Sequence, residues 1–138
     1  METRLSVFPG KPHPLGVSVE ADGINIAVVS RHAERIFLCL FDEQGEREVA
    51  RLLLPGRLGD THHGFIQGIK PGARYGLRAE GPWDPDHGHR FDPAKLLVDP
   101  YAHTLDRPFT WQAELANVRP VAVDTATWVP KAIVTPAW

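Results

Sequence analysis

Prolines and glycines break the first 80 residues into short segments whose apolar runs are of strand length. Val17-Ser18-Val19-Glu20-Ala21 and Ile24-Asn25-Ile26-Ala27-Val28-Val29 each predict a strand. Asp22-Gly23 between them is a two-residue hairpin signal. Residues 36–41 predict a third strand, and Asp42-Glu43-Gln44-Gly45 turns the chain into a fourth over residues 47–54. A loop with Pro55-Gly56 and Gly59-Asp60 leads to a fifth at 63–69. Lys70-Pro71-Gly72 puts Pro and Gly where a type II turn needs them, ahead of a sixth strand at 74–80. There Tyr75, Leu77 and Ala79 alternate with Gly76, Arg78 and Glu80, the pattern of a half-buried antiparallel strand. Short strands joined by hairpin turns predict an all-β, antiparallel β-sandwich.

The third strand does not alternate. Ile36, Leu38 and Leu40 make one face apolar, and Phe37, Cys39 and Phe41 the other. A sandwich strand of this kind needs cover on its outer side, from the second half of the chain or from another domain. The run Pro71-Gly72-Ala73-Arg74-Tyr75 resembles the tyrosine corner of immunoglobulin-like and fibronectin type III domains, where a Tyr hydroxyl bonds back to backbone.

After Glu80 the texture changes. Gly81-Pro82-Trp83-Asp84-Pro85-Asp86 reads as a rigid loop. Asp92-Pro93 and Asp99-Pro100 each read as a helix cap with Pro in the first helical position, predicting helical turns at 95–98 and 101–104. Residues 106–138 read as irregular, with short strands at 121–123 and 132–134. The predicted organisation is an N-terminal arm over 1–14, a sandwich over 15–105, and an irregular C-terminal segment over 106–138.

Composition narrows the function classes. With 138 residues, 43% hydrophobic and 23% charged, the chain suits one globular domain and excludes disorder. The net charge of −2 and scattered Lys/Arg argue against a nucleic-acid partner. No apolar stretch approaches the roughly 20 residues of a membrane span. The first residues lack the basic and apolar regions of a signal peptide, so a soluble, cytoplasmic protein is expected. Cys39 is the single cysteine, which excludes an internal disulfide and suits packing better than nucleophilic chemistry.

Catalytic constellations do not emerge. Asp84, Asp86, Asp92 and Asp99 stand in turn or cap positions, not as a carboxyl pair across a sugar-sized cleft. His62 and His63 begin a strand and point to opposite faces. His87 and His89 lie near Asp84 and Asp86, but without a further ligand at metal-binding spacing they predict no metal site. No cofactor is expected. Trp83, Trp111, Trp128 and Trp138 all fall outside the six strands. A loop indole can stack on a sugar ring or anchor a neighbouring domain. Trp83, Trp111 and Trp128 are therefore the candidate carbohydrate platform.

The strongest signal is a set of longer words: Asp22-Gly23-Ile24-Asn25-Ile26-Ala27-Val28-Val29-Ser30, His63-Gly64, Pro71-Gly72-Ala73-Arg74-Tyr75-Gly76-Leu77-Arg78 and Gly81-Pro82-Trp83. The most specific is Gly88-His89-Arg90-Phe91-Asp92-Pro93-Ala94-Lys95-Leu96-Leu97-Val98-Asp99-Pro100-Tyr101-Ala102, and Pro130-Lys131-Ala132-Ile133-Val134 also fits. On these residues the chain resembles the N-terminal domain of bacterial glycogen debranching enzymes, the isoamylase group of the α-amylase superfamily. The resemblance implies an immunoglobulin-like sandwich of the early-set, carbohydrate-binding-module type. It also implies a cytoplasmic parent enzyme that hydrolyses α-1,6 branches in a (β/α)8 barrel lying after Trp138, so this chain alone is not expected to be an enzyme. Gly88-His89-Arg90-Phe91-Asp92 is similar to the family's nucleophile motif, but it follows a Pro/Gly loop and leads into Pro93, so Asp92 reads as a cap. Two positions depart from the family, His62 where Trp is common and Ile26-Ala27 where Phe-Ala is common. Related sandwich domains bind glycogen through surface tryptophans and a lysine, but the resemblance gives no residue-by-residue match to those positions, so sugar binding does not follow from it.

The first expectation is thus a non-catalytic module docked on its own catalytic barrel through Arg90, Phe91, Lys95, Leu96 and Tyr101, with glycogen or another α-glucan as a further partner. The alternatives are an autonomous glycogen-binding module and an unrelated immunoglobulin-like interaction domain.

Overall fold

The computed structural model describes residues 5–84, 86, 89–90, 95–107 and 129–135. The strands are β1 (Ser6–Phe8), β2 (Gly16–Glu20), β3 (Gly23–Val29), β4 (Arg35–Phe41), β5 (Glu48–Leu53), β6 (Gly56–Leu58), β7 (Thr61–Gln67), β8 (Arg74–Glu80), β9 (Trp83–Asp84), β10 (His89–Arg90) and β11 (Ala132–Ile133). Every pairing among them is antiparallel. The first sheet runs β1-β7-β3-β2, with β6 also on β7, and the second runs β11-β8-β4-β5. All six predicted strands are present, within two residues of their expected limits.

The inward faces follow from the period of two. Ile24, Ile26, Val28 and Ile66 of the first sheet meet Ile36, Leu38, Leu40, Tyr75, Leu77 and Ala79 of the second in one core. Asp22-Gly23 does make the β2–β3 turn, and Glu20 pairs with Gly23. Asp42 Oδ1 accepts the amides of Glu46 (2.9 Å) and Arg47 (3.3 Å), which fixes the β4–β5 turn. Those amides, Glu46's first, hold the Asp42 carboxyl below the usual carboxylate range.

The predicted N-terminal arm is partly sheet, since Ser6–Phe8 pairs with β7. Residues 9–11 then strap across the outer face of the first sheet. Asn25, 1% exposed, accepts the Lys11 amide at 2.8 Å and donates to the Lys11 carbonyl at 3.0 Å. Gly10 has φ +65°, and a Cβ there would lie 2.5 Å from Asn25 Oδ1, so glycine is required by both backbone and space. The Pro9 carbonyl lies 2.6 Å from His63 Nδ1. Asn25 and His63, polar residues on a buried face, thus serve as clamps for backbone.

The other edge of β8 is closed by chain from beyond residue 95. Leu77 and Leu97 exchange backbone hydrogen bonds (2.9 and 2.7 Å), and β11 pairs with Arg74 and Tyr75. The expected helical turns at 95–98 and 101–104 are absent. Leu97 is instead an extended bridge residue, because an unpaired strand edge on β8 claims its N–H and C=O. The predicted strand at 132–134 is observed as Ala132–Ile133, while that at 121–123 lies outside the described residues, as do Asp92, His87 and Trp138.

Tyr75 does not form a tyrosine corner to backbone. Its hydroxyl donates to Asp99 Oδ2 at 2.6 Å, and Asp99 Oδ1 accepts the Tyr101 amide at 2.9 Å. Tyr75 and Asp99 are each 2% exposed. Burial, and then the Asp99 carboxylate, push the Tyr75 phenol above its ordinary range. Asp99 is therefore a turn former, as its place before Pro100 suggested, but one buried against the core. Tyr75→Phe leaves buried Asp99 Oδ2 without its hydroxyl donor, so it is expected to destabilise the fold by about 1.5–3 kcal/mol in chemical denaturation.

His62 is 2% exposed and sits opposite Val28 on the inward side of β7. Its Nε2 has no hydrogen-bond partner among the described residues. Burial first, and Arg57 second, hold its pKa below the ordinary 6.5. As pH falls the unfolded chain therefore takes up this proton before the folded one does. Stability should be undiminished above about pH 6.5 and decline below it. Thermal unfolding measured across that range should show the decline in the parent and a shallower one in His62→Leu.

Candidate functional site

Within the stretch of most specific sequence, residues 95–98 run along the outer face of the second sheet. Phe37, Cys39 and Phe41 point outward from β4, and the chain itself covers them. Leu96 and Val129 are both 4% exposed and form a second core with Cys39 and Phe41, flanked by Phe37 and Val98. The doubly apolar strand thus receives its cover from the second half of its own chain. Gly76 makes room for this layer, because a Cβ there would stand 2.7 Å from a Leu96 methyl.

Charged groups are packed into the same layer. Arg78, with its side chain 1% exposed, donates Nε to Glu48 Oε1 at 2.9 Å, and Arg51 reaches Glu48 Oε2 at 2.8 Å. Burial works to raise the Glu48 carboxyl, but the hydrogen bonds from Arg78 and Arg51 outweigh it and its pKa is lowered. Burial, then the neighbouring Glu48, push the Cys39 thiol up to about 12. That is the opposite of what an activated nucleophile needs. Lys131 is 0% exposed, and its Nζ lies 5.2 Å from the centre of the Phe41 ring, within cation–π range.

Asp106 ties this layer down at its far end. Its side chain is 0% exposed, accepts the Lys131 amide at 2.8 Å, and pairs with Arg107 (2.9 Å) and Arg74 (3.7 Å). The Arg107 guanidinium also donates to the Gln44 carbonyl, joining this segment to the β4–β5 turn. Sequence reading missed Arg78, Asp106 and Lys131 as structural charges. Pro130-Lys131-Ala132-Ile133-Val134 was a visible word, but its lysine gave no sign of burial.

The proposed site residues fall into separate groups. Trp83 pairs with Arg90 in the β9–β10 hairpin. Trp111, Trp128 and Phe91 lie outside the described residues. Lys95 is half-buried, and Leu96 packs within this domain on Cys39 and Gly76. Tyr101 is 43% exposed and seated over Gly16. Among the described residues no three of His, Cys, Asp and Glu converge as metal ligands, and no helix is long and apolar enough to cross a membrane.

Two antiparallel sheets packed on one core, with the second sheet covered outside by the returning chain, make this an immunoglobulin-like β-sandwich. Among solved structures it is similar to the catalytic module of the pneumococcal glycogen-degrading virulence factor SpuA, with a TM-score of 0.60 and 18% identity over 92% of this chain and 17% of that one. It is also similar to the GBS pullulanase SAP in complex with maltotetraose, with a TM-score of 0.58 and 20% identity over 89% of this chain and 14% of that one. These likenesses concern the fold. The chain belongs to the carbohydrate-binding module 48 (isoamylase N-terminal domain) family, whose model matches residues 14–102. It is 48% identical over 128 residues to a glycogen debranching enzyme of Klebsiella pneumoniae subsp. pneumoniae, covering 91% of this chain and 19% of that protein. A second glycogen debranching enzyme, from Klebsiella pneumoniae (strain 342), is 54% identical over 101 residues, covering 73% of this chain and 15% of that protein. The chain thus spans less than a fifth of either relative's length. With the family established, the alternative of an unrelated immunoglobulin-like interaction domain falls.

Two outcomes test the covered outer face. Cys39 should stay inert to a thiol reagent in the native chain at about pH 8 and titrate as one thiol in concentrated guanidinium chloride. Gly76→Ala should force Leu96 off β8 and destabilise by about 1–3 kcal/mol, read as a lower denaturation midpoint.

Proposed function

We propose that this chain is the non-catalytic N-terminal module of a glycogen-debranching glycoside hydrolase, one that cleaves α-1,6 linkages in the cytoplasm. The observation that carries the reading is the 48% identity to a glycogen debranching enzyme over 91% of this chain but only 19% of that protein. Chemistry on this module's own described surface adds no rival. Arg78 is engaged with Glu48 and Arg107 with Asp106, and the single thiol is held protonated.

In this reading the module seats against the catalytic barrel of the same polypeptide. Arg90, Phe91, Lys95 and Tyr101 supply contacts, and Leu96 anchors their run on the second sheet. The module's second role is to hold α-glucan on Trp83, Trp111 or Trp128. The family's description as a carbohydrate-binding module favours that role.

The full-length polypeptide should release linear chains from glycogen by opening α-1,6 bonds, while residues 1–138 alone should release no reducing sugar. A full-length protein without such hydrolysis would overturn the reading. Glycogen cast into a native gel should retard the folded chain, and Trp83→Ala should abolish the retardation if that indole is the platform. Unchanged mobility of the parent chain would leave the module the barrel-docking role alone.

A further inference from the structure

At one end of the sandwich, where β3 leaves the first sheet and β4 enters the second, the sheets part around a crevice of about 160 Å³. Val28, Ile36, Leu77 and Ala79, all members of the main core, form its floor. Val29 and Leu97 stand at its rim, 53% and 47% exposed. The crevice is therefore a place where the core opens to the surface between two exposed aliphatic side chains. Its outer wall, residues 97–100, is held on one side by the Leu77–Leu97 bridge and on the other by the buried Asp99. It is built before anything enters it, so little ordering cost falls on binding.

The lining selects the chemistry of the occupant. Among the described residues Arg78 is the one charged group lining it, and that guanidinium is committed to Glu48. Ser30 is the one side-chain hydroxyl among the described lining residues, and Pro100 has no N–H to offer. A sugar ring would bring several hydroxyls into a wall that could satisfy few of them, at a cost for each left unpaired. An aliphatic or aromatic side chain loses nothing there, and an apolar space of roughly 150 Å³ accepts a benzene-sized group.

The relatives indicate where such a side chain comes from. The chain spans 19% and 15% of the two debranching enzymes, so more than four-fifths of each lies outside the match. A partner on the same polypeptide is present at an effective concentration in the millimolar range. One well-filled crevice then suffices, where an untethered protein would need an interface of about 1,000 Å² or more.

We propose that the Val29–Leu97 crevice receives one apolar side chain from the catalytic part of the same polypeptide and so fixes the angle at which the module sits on it. This inference rests on the reading of the chain as one module of a longer debranching enzyme.

The test uses the full-length polypeptide with a cysteine placed at Leu97→Cys or, as a reference, at Leu58→Cys. Reaction with a maleimide is followed by peptide mass at each site. Leu58 is 64% exposed on β6 and Leu97 is 47% exposed, so the module's geometry alone gives the two similar rates. Cover from the catalytic part should slow Leu97→Cys at least tenfold relative to Leu58→Cys, whatever the protein concentration and with or without glycogen. Leu97→Asp should also lower the full-length melting temperature, with Leu58→Asp neutral. Similar labelling rates would overturn the proposal. So would protection that appears only with glycogen, which makes glucan the occupant, or protection lost on dilution, which makes it a second copy. Hydrolysis of α-1,6 bonds, assayed on the same preparation, separates the two readings. Protection without hydrolysis keeps the crevice assignment and discards the debranching one, and hydrolysis without protection does the reverse.

Discussion

A phenol and a carboxylate meet inside this sandwich, and the rest of the fold is arranged around keeping them together. Tyr75 is a core residue of β8 by its alternation, so its hydroxyl is carried into the interior and must find an acceptor there. Asp99 supplies it at 2.6 Å. The same carboxylate turns the chain at Tyr101, and Leu97, two residues earlier, bridges to Leu77. One buried contact thus pulls the segment beyond residue 95 onto the free edge of β8. Without it that edge would present unpaired backbone to water or to other chains.

Once that segment is in place, the outer face of the second sheet becomes a second interior. Leu96 and Val129 bury Cys39 and Phe41, and Arg78 and Glu48, which share the layer, are paired because burial leaves the guanidinium no water. Asp106 plays for Arg107 and Lys131 the part that Asp99 plays for 97–101. Each is a carboxylate buried where two stretches of chain must be held against β8 or its neighbours. The functional consequence is that the outer face of β4 is occupied by the module itself. Under the proposed function, docking and sugar contact fall to the residues that flank this layer and to the end of the sandwich where it stops.

Much of this was legible in the chain. The six main strands and their turns follow from alternation and from Asp-Gly and Pro-Gly pairs, which are local signals read over a few residues. The need for cover on β4 was also legible, since six consecutive apolar residues cannot face water on either side. The helical turns expected after Asp92 and Asp99 fail because a cap followed by Pro is equally a turn into extended chain. The edge of β8, some 20 residues earlier, decided between them. The loop tryptophans remain candidates by type, because a stacking platform depends on which neighbours frame the ring, and no spacing in the chain encodes that.

The sequence by itself determined the strands, their inward faces, the sandwich class and the family words at 22–30, 71–78 and 88–102, because each depends on local period and turn chemistry. Only the tertiary structure decided what covers β4, which acceptor Tyr75 takes, that Arg78 and Lys131 are interior charges, and that Val28, Ile36, Leu77 and Leu97 gather round one crevice. Those facts depend on contacts between residues twenty to ninety positions apart. Such contacts are set by sheet register and by the burial of polar groups that must find partners, and neither leaves a periodic trace along the chain.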